Sequence, residues 1–384
     1  SGMKVFDWEI PDEWNIYDAY IEHESKKKFA KFTDSNLHIL GYSIPCNKTV
    51  TLQELLGHIY TSKEYPEVIP YVTSYYKDRW GFCMSEDEKQ SLPQGNYRVF
   101  IDSKKSPGVM NLADLVIRGK KSDEVFFSTY VCHPSMANNE LSGPVVSSAL
   151  IQYIKSNFSN PKYTYRFVFV PETIGSITYL SKNLKKLKNN VICGYNLSCV
   201  GDNRGFSHIK SPFGNNMADI ALKASLIGRE NVVAYSFLDR GSDERQYCSP
   251  GIDLPLCGFS RTKHGKYKEY HTSADDFNVV TSEGLEGSLD VMKSIIDAFE
   301  TGLFPKTNTK CEPHLGSKGL HPTISQDFGY GKSLWLDLLA YADGGNSLFD
   351  ISNIIGKNLK SVITEAKILE KNGVINIFDT NFKN

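Results

Sequence analysis

Two short apolar runs constrain this chain more than any other feature. Val125-Phe126-Phe127-Ser128-Thr129-Tyr130-Val131 and Tyr165-Arg166-Phe167-Val168-Phe169-Val170 lack the alternation of a sheet with one wet face, so both read as strands buried on both sides. A helix over about residues 143–156 separates them, with Val145, Val146, Ala149, Leu150, Tyr153 and Ile154 on one face. Ile177, Leu180, Leu184 and Leu187 mark a second helix, Val191 to Val200 a third strand, and Met217 to Ile227 a further helix. Leu254 to Phe259 reads as a strand, and Ser282 as the N-cap of a long helix carrying Leu285, Leu289, Met292, Ile295, Ile296 and Phe299. Strand and helix in alternation specify an α/β sheet with helices on both faces.

The flanks read differently. Residues before the first buried strand are irregular and rich in aromatics, as in Pro70-Tyr71-Val72-Thr73-Ser74-Tyr75-Tyr76 and Arg79-Trp80-Gly81-Phe82-Cys83. The Leu52–Leu56 stretch suggests a helix, and Tyr97–Ile101 and Leu115–Ile117 suggest short antiparallel strands. Phe304 to Lys310 reads as a linker. Beyond it, Leu334 to Leu339, Leu348 to Ile355 and Leu359 to Leu369 are helical, and Val374 to Phe378 is a short strand. Three helices and a strand specify a winged helix-turn-helix.

Composition excludes several classes. With 43 Lys+Arg against 44 Asp+Glu the net charge is −1, unlike a protein that wraps nucleic acid over its whole surface. No apolar run approaches the roughly 20 residues of a membrane span, so no membrane partner is expected. The eight cysteines include no Cys-x-x-Cys pair, which argues against a zinc ribbon and fits a reduced, cytoplasmic setting. Neither a phosphate loop nor a dinucleotide fingerprint is present.

The polar signals fall just past the two buried strands. His133 follows the first and Glu172 the second, at the edge where open α/β sheets place their ligands. Glu269-Tyr270-His271-Thr272-Ser273-Ala274-Asp275 and Gly241-Ser242-Asp243-Glu244-Arg245 add imidazole and carboxylate. Alone, each histidine reads as a hydrogen-bonded loop residue, and Asp243 and Asp275 as loop caps or arginine partners. Together they suit a hydrolytic zinc site.

At these residues the sequence resembles the bacterial aminopeptidase-like proteins named for polysaccharide biosynthesis. The strings that carry the resemblance include Lys4-Val5-Phe6-Asp7-Trp8, Gly41-Tyr42-Ser43-Ile44-Pro45, Arg79-Trp80-Gly81-Phe82-Cys83, Cys132-His133-Pro134-Ser135, Pro171-Glu172-Thr173-Ile174-Gly175-Ser176 and Tyr270-His271-Thr272-Ser273-Ala274-Asp275. The resemblance implies a zinc-aminopeptidase-like mixed sheet over residues 1–36 and 109–303. It adds a small α+β domain inserted at 37–108 and a winged helix-turn-helix at 304–384. Members usually carry a further N-terminal segment, which this chain is expected to lack.

The implied ligands are His133, Asn139, Glu172 and His271, with Glu172 and Asp243 as catalytic groups. Asn139 stands where the wider group has a zinc-bridging Asp, and Ser198 where it has another. Pro171 takes the place of a general-base Glu. Glu140 could replace the bridging Asp only if its loop shifted, and Asp275 could orient His271. The resemblance therefore implies one zinc or none, with the second site lost. Glutaminyl cyclases, similar to the same group, use one zinc held by Asp, Glu and His; the matching trio here is Asn139, Glu172 and His271.

The implied activity is zinc-dependent hydrolysis of an amide in a peptide or amino-sugar small molecule. The alternatives are a degenerate relative that binds without cleaving and a DNA-binding regulator. The helix carrying Lys357, Lys360 and Lys367 also carries Glu365 and Glu370, so DNA is the weaker expectation. A homo-oligomer is compatible with all three.

Overall fold

A computed structural model describes residues 1–318, 320 and 334–380. The segments 319, 321–333 and 381–384 of the expected winged unit lie outside the described residues.

A four-stranded antiparallel sheet comes first, built from β1 (Glu13–His23), β2 (Lys28–Phe29), β3 (Cys46–Thr51) and β4 (Asn96–Ser106) in the order β2-β1-β4-β3. β1 and β4 pair along almost their whole length, from Glu13 opposite Ser106 to His23 opposite Tyr97. Ala19, Ile21, Val99 and Ile101 alternate inward and share one core with Phe82 and Leu55. The expected boundary at residues 36/37 cuts through this sheet, because β1 supplies its long central strand. Residues 1–10 do pack on the large body, with Val5 and Ile10 against Ile177.

The large sheet has seven strands: β5 (Ala113–Ile117), β6 (Glu124–Tyr130), β7 (Thr164–Val170), β8 (Val191–Leu197), β9 (Phe206–Ile209), β10 (Val232–Tyr235) and β11 (Leu256–Ser260). Their order is β10-β9-β11-β8-β6-β7-β5. β7, β6, β8 and β11 run parallel, while β5 and β9 lie antiparallel to their neighbours β7 and β11. Every residue of β6 is buried, as the unbroken apolar run requires. The sequence reading missed β9 and β10, whose four-residue runs are too short to show a period.

Helices α1 (Ser142–Asn157), α2 (Ile174–Asn190), α3 (Met217–Leu226) and α4 (Ser282–Thr301) cover the sheet. Thr281, one residue before the expected cap, caps α4 by accepting the Gly284 N–H. Val291, Met292, Ile295, Ile296 and Phe299 then face inward, each burial stabilising by roughly 1.5–3 kcal/mol. α1 presses close on the sheet through Gly143. A Cβ there would lie 2.1 Å from Thr129 Oγ1 and 2.7 Å from the Leu197 carbonyl oxygen.

The winged unit comprises α5 (Leu334–Tyr341), α6 (Leu348–Ile355) and α7 (Leu359–Lys371), with β12 (Phe304–Thr307) paired antiparallel to β13 (Ile375–Phe378). The stretch expected as a linker is therefore half of the wing. The unit is not a separate bead: Phe349, Ile351, Val362 and Leu369 belong to the same buried cluster as Phe127, Leu222 and Phe299. Asn353 and Asn358 donate side-chain hydrogen bonds to the carbonyls of Ile220 within α3 and of Ile227 just past its end. Lys360 at the start of α7 pairs with Asp290 on α4 at 3.1 Å. No helix among the described residues is long and apolar enough to cross a membrane.

Candidate active site

β6 delivers His133 three residues past its end, and the loop is held by Glu140. One Glu140 oxygen accepts the Cys132 N–H at 2.6 Å; the other accepts the His133 N–H at 2.8 Å and lies 3.1 Å from His133 Nδ1. Glu140 is thus engaged by its own loop and the ring, in the position from which only a shift of the loop would free it. It fixes the imidazole with Nδ1 as donor and leaves Nε2 as the outward lone pair. Cys132 Sγ also reaches the ring, 3.4 Å from Nδ1, which adjacency in sequence did not suggest. Burial and the Glu140 carboxylate push its thiol well up, so it is no thiolate.

β7 ends at Val170, and Pro171 and Glu172 follow. Glu172 Oε2 lies 3.5 Å from His133 Nε2. Burial raises the Glu172 carboxyl and the His133 ring opposes that. Thr173 takes a positive φ of +66° and is the N-cap of α2. Asp243 stabilises this turn: its Oδ1 accepts the Thr173 N–H and the Ser176 hydroxyl, both at 2.8 Å. Its Oδ2 is buried without a partner. Burial and the neighbouring Glu172 push Asp243 up to about 7.

His271 arrives from the loop after β11 with φ +57°, a strained value for a bulky residue. Its Nε2 is buried and unpartnered. Burial, helped by His133 and His264, lowers it to about 3, so the ring is neutral at pH 7. The ring centroids of His133 and His271 are 5.1 Å apart. Asp275 does not orient His271, contrary to expectation. Its carboxylate instead accepts the N–H groups of Asn138 at 2.6 Å and Asn139 at 3.0 Å and the Tyr267 hydroxyl at 3.1 Å.

Asn139 sits in a π-helical turn over Ala137–Leu141 and donates Nδ2 to the Tyr130 hydroxyl at 2.8 Å. Its Oδ1 is buried without a partner. Ser198 is buried too, at the end of β8, and carries no charge.

Tyr130 and His264 escaped the sequence reading as site residues, and Tyr71 was read there only as part of an aromatic-rich stretch. Tyr71, from the small unit, lies edge-on to both imidazoles, with centroids 5.5 Å from His133 and 5.3 Å from His271. Its N–H donates to the His271 carbonyl at 2.8 Å. Tyr130 stands edge-on to His133 at 5.2 Å. His264 has a buried, unpartnered Nδ1 and is lowered to about 4 by burial and Lys263. No spacing rule links these to His133; only the paired loops do.

The donor set accommodates one zinc in part. Tetrahedral bonds of about 2.0–2.1 Å put neighbouring donors about 3.3 Å apart, and the His133–Glu172 pair is close to that. Unpartnered His271 Nε2 and Asn139 Oδ1 supply further lone pairs. The donor atoms of His133, Glu172 and His271 are not drawn as tightly as those of Cys132, His133 and Glu140, which lie within 4.8 Å of one another. Asn139 and Ser198 are neutral, so neither would offset the charge of a second ion.

This fold is that of the zinc aminopeptidases. The zinc aminopeptidase BSAP of Bacillus subtilis superposes with TM-score 0.53 at 14% identity, over 75% of this chain and 82% of BSAP. A peptidase M28 precursor of Shewanella amazonensis gives 0.53 at 12% identity, over 74% and 80%. Residues 1–302 match the family described as a domain of unknown function, DUF4910, and the chain belongs to it. Residues 303–377 match a winged helix-turn-helix family. A Clostridium acetobutylicum protein, named as a candidate polysaccharide biosynthesis protein with an aminopeptidase-like domain, is 40% identical over 94% of this chain and 83% of its own length. The structure of a candidate peptidase from the same organism has TM-score 0.88 at 37% identity, over 98% of this chain and 86% of that one.

Proposed function

We propose that the protein is an aminopeptidase-like hydrolase with one zinc, acting on an amide in a peptide or an amino-sugar derivative. The observation that carries this reading is the His271 imidazole, buried, neutral and unpartnered, facing the His133–Glu172 pair at the strand ends. His133, Glu172 and His271 would hold the ion, with Asn139 Oδ1 as a weak fourth donor. A bound zinc would polarise the scissile carbonyl and acidify its water. Tyr71 lies edge-on to both imidazoles. Asp243, held by Thr173 and Ser176 and raised to about 7, would receive a substrate amine or carry a proton near neutral pH. Eight unpaired cysteines support a cytoplasmic setting.

A second reading is a relative that binds without turnover, favoured by the loss of carboxylates at Asn139 and Ser198. Amide hydrolysis by zinc-loaded protein, abolished in Glu172→Gln, supports the first reading. Ligand binding with no turnover in saturating zinc supports the second. The DNA reading is disfavoured by α7, whose first turn pairs with Asp290 of the large body.

A further inference from the structure

Arg245 stands at the site without a counter-ion. It lies two residues past Asp243, is half-buried, and forms no ion pair among the described residues. Its Nη2 donates to Thr173 Oγ1, next in the chain to Glu172, and its Nε–H is buried with no acceptor. That single bond leaves the other donors of the guanidinium unused. A cation held away from water is unfavourable unless an anion pairs with it.

The acids around it are engaged elsewhere. Glu244 accepts the Gly241 N–H at 2.9 Å, the Ser242 N–H at 3.1 Å and the Asn196 amide at 3.1 Å. Asp243 Oδ1 takes the Thr173 N–H and the Ser176 hydroxyl. Glu172 lies 3.5 Å from His133 Nε2, among the metal donors.

A second unpaired group stands in the same corner. His264 packs on the loop that leads to Asp243: a Cβ on Gly241 would lie 2.4 Å from its Nε2. Its Nδ1 is buried without a partner. Its ring centroid is 6.3 Å from that of Tyr270, and Tyr270 stacks on His271 at 3.9 Å. Burial dominates the titration of Glu172, His264 and Tyr270, and the Arg245 charge acts on all three, which puts the guanidinium among the walls of the site.

We propose that Arg245 determines which amide is cut, by receiving the side-chain carboxylate of the residue whose amine goes to Asp243, so that the substrate is a peptide with an N-terminal glutamate or aspartate. This rests on the hydrolase reading and chooses the peptide side of it. Thr173 joins the two contacts, with its N–H on Asp243 and its hydroxyl on Arg245, so one amino acid can reach both. A planar guanidinium meets a carboxylate through two parallel N–H bonds. A dianionic phosphate would be repelled by Glu172, Asp243 and Glu244, whereas one negative charge matches the one unpaired guanidinium.

The test uses the full chain loaded with zinc and the p-nitroanilides of α-glutamate, α-aspartate, glutamine and alanine. Release from the α-glutamyl or α-aspartyl compound should exceed release from the glutaminyl one by about tenfold or more in kcat/KM, and Arg245→Gln should bring that ratio close to unity. Arg245→Lys keeps the charge and should restore part of the ratio; it also serves if the Gln variant fails to fold. A parent with no preference for acid, or an Arg245→Gln protein that loses all substrates equally, overturns the proposal, leaves Arg245 as a support for Thr173 and keeps the hydrolase reading. Calorimetry of the metal-free protein with the dipeptides Glu-Ala and Gln-Ala supplies a readout apart from turnover. Glu-Ala bound about tenfold more tightly through Arg245, with no hydrolysis in zinc, upholds the carboxylate site and removes the hydrolase reading instead. Equal binding or none, again with no hydrolysis, overturns the carboxylate site.

Discussion

The Asp275 carboxylate accepts the backbone N–H of Asn139 at 3.0 Å, so the loop that carries the neutral Asn139 is pinned by a buried acid. A carboxylate at 139 would take the buried place of the Asn139 amide beside the Tyr130 hydroxyl. Without metal, Asn139→Asp should destabilise by roughly 3 kcal/mol or more, because it buries an unpaired charge. With zinc present the melting temperature should recover beyond that of the parent. Calorimetry with and without zinc checks both, and an indifferent response to zinc would remove Asn139 from the centre.

Zinc retention after dialysis should approach one equivalent and be lost in His271→Ala. Cys132→Ser should retain it, since burial keeps that thiol protonated. Elemental analysis decides, and equal retention in parent and His271→Ala would dismiss the assigned ligands.

Asp219, at the start of α3, illustrates a pH effect outside the site. Burial raises its carboxyl, but hydrogen bonds from His208 at 2.9 Å and from the Ser211 hydroxyl and N–H outweigh this and lower it below the ordinary value. A depressed folded value means stabilisation that is complete above the unfolded value of about 3.9 and fades as pH falls through the folded one. Asp219→Asn should cost about 1–3 kcal/mol at pH 7. The deficit should shrink towards pH 3 in denaturant titrations, and a constant deficit would show the charge to be immaterial.

The winged unit should melt together with the sheet. Phe349 is fully buried, with its ring centroid 5.5 Å from that of Phe299 on α4. Phe349→Ala should cost about 3–5 kcal/mol and keep a single cooperative transition. Two separated transitions would mean an autonomous winged domain. DNA retention at low salt should be absent in the parent.

Gly143→Ala should displace α1, since the new methyl meets Thr129 Oγ1 and the Leu197 carbonyl. The cost is about 1–3 kcal/mol. Because the helix carries the Ala137–Leu141 turn at its start, zinc retention should fall with stability. Retention unchanged alongside reduced stability would show that the turn adjusts independently.

The central strands of the large sheet and the helices that cover it were legible because burial leaves an apolar pattern that local sequence displays, unlike the short β9 and β10. β6, β7 and α1 to α4 follow from Val125–Val131, Tyr165–Val170 and the helical periods. β1 was not legible: its pairing partner β4 lies far along the chain, and Glu13 to His23 mixes charge with aromatics. The wing strand β12 read as linker because Pro305, Lys306 and Thr307 carry no strand signal without β13 beside them. Phe82 and Tyr97 likewise gave no hint that one core spans the boundary at residue 36.

The same division holds at the site. Sequence alone determined that His133 and Glu172 sit just past parallel strands, because strand ends are set by local burial, and that Asn139 and Ser198 lack charge. Tertiary structure alone decided what those residues face. Glu140 turned to the backbone of its own loop, Asp275 turned to Asn138 and Asn139, and Tyr71 crossed from another unit to cover two imidazoles. Hydrogen-bond satisfaction in a buried place depends on which distant groups arrive there, and no local pattern encodes that arrival.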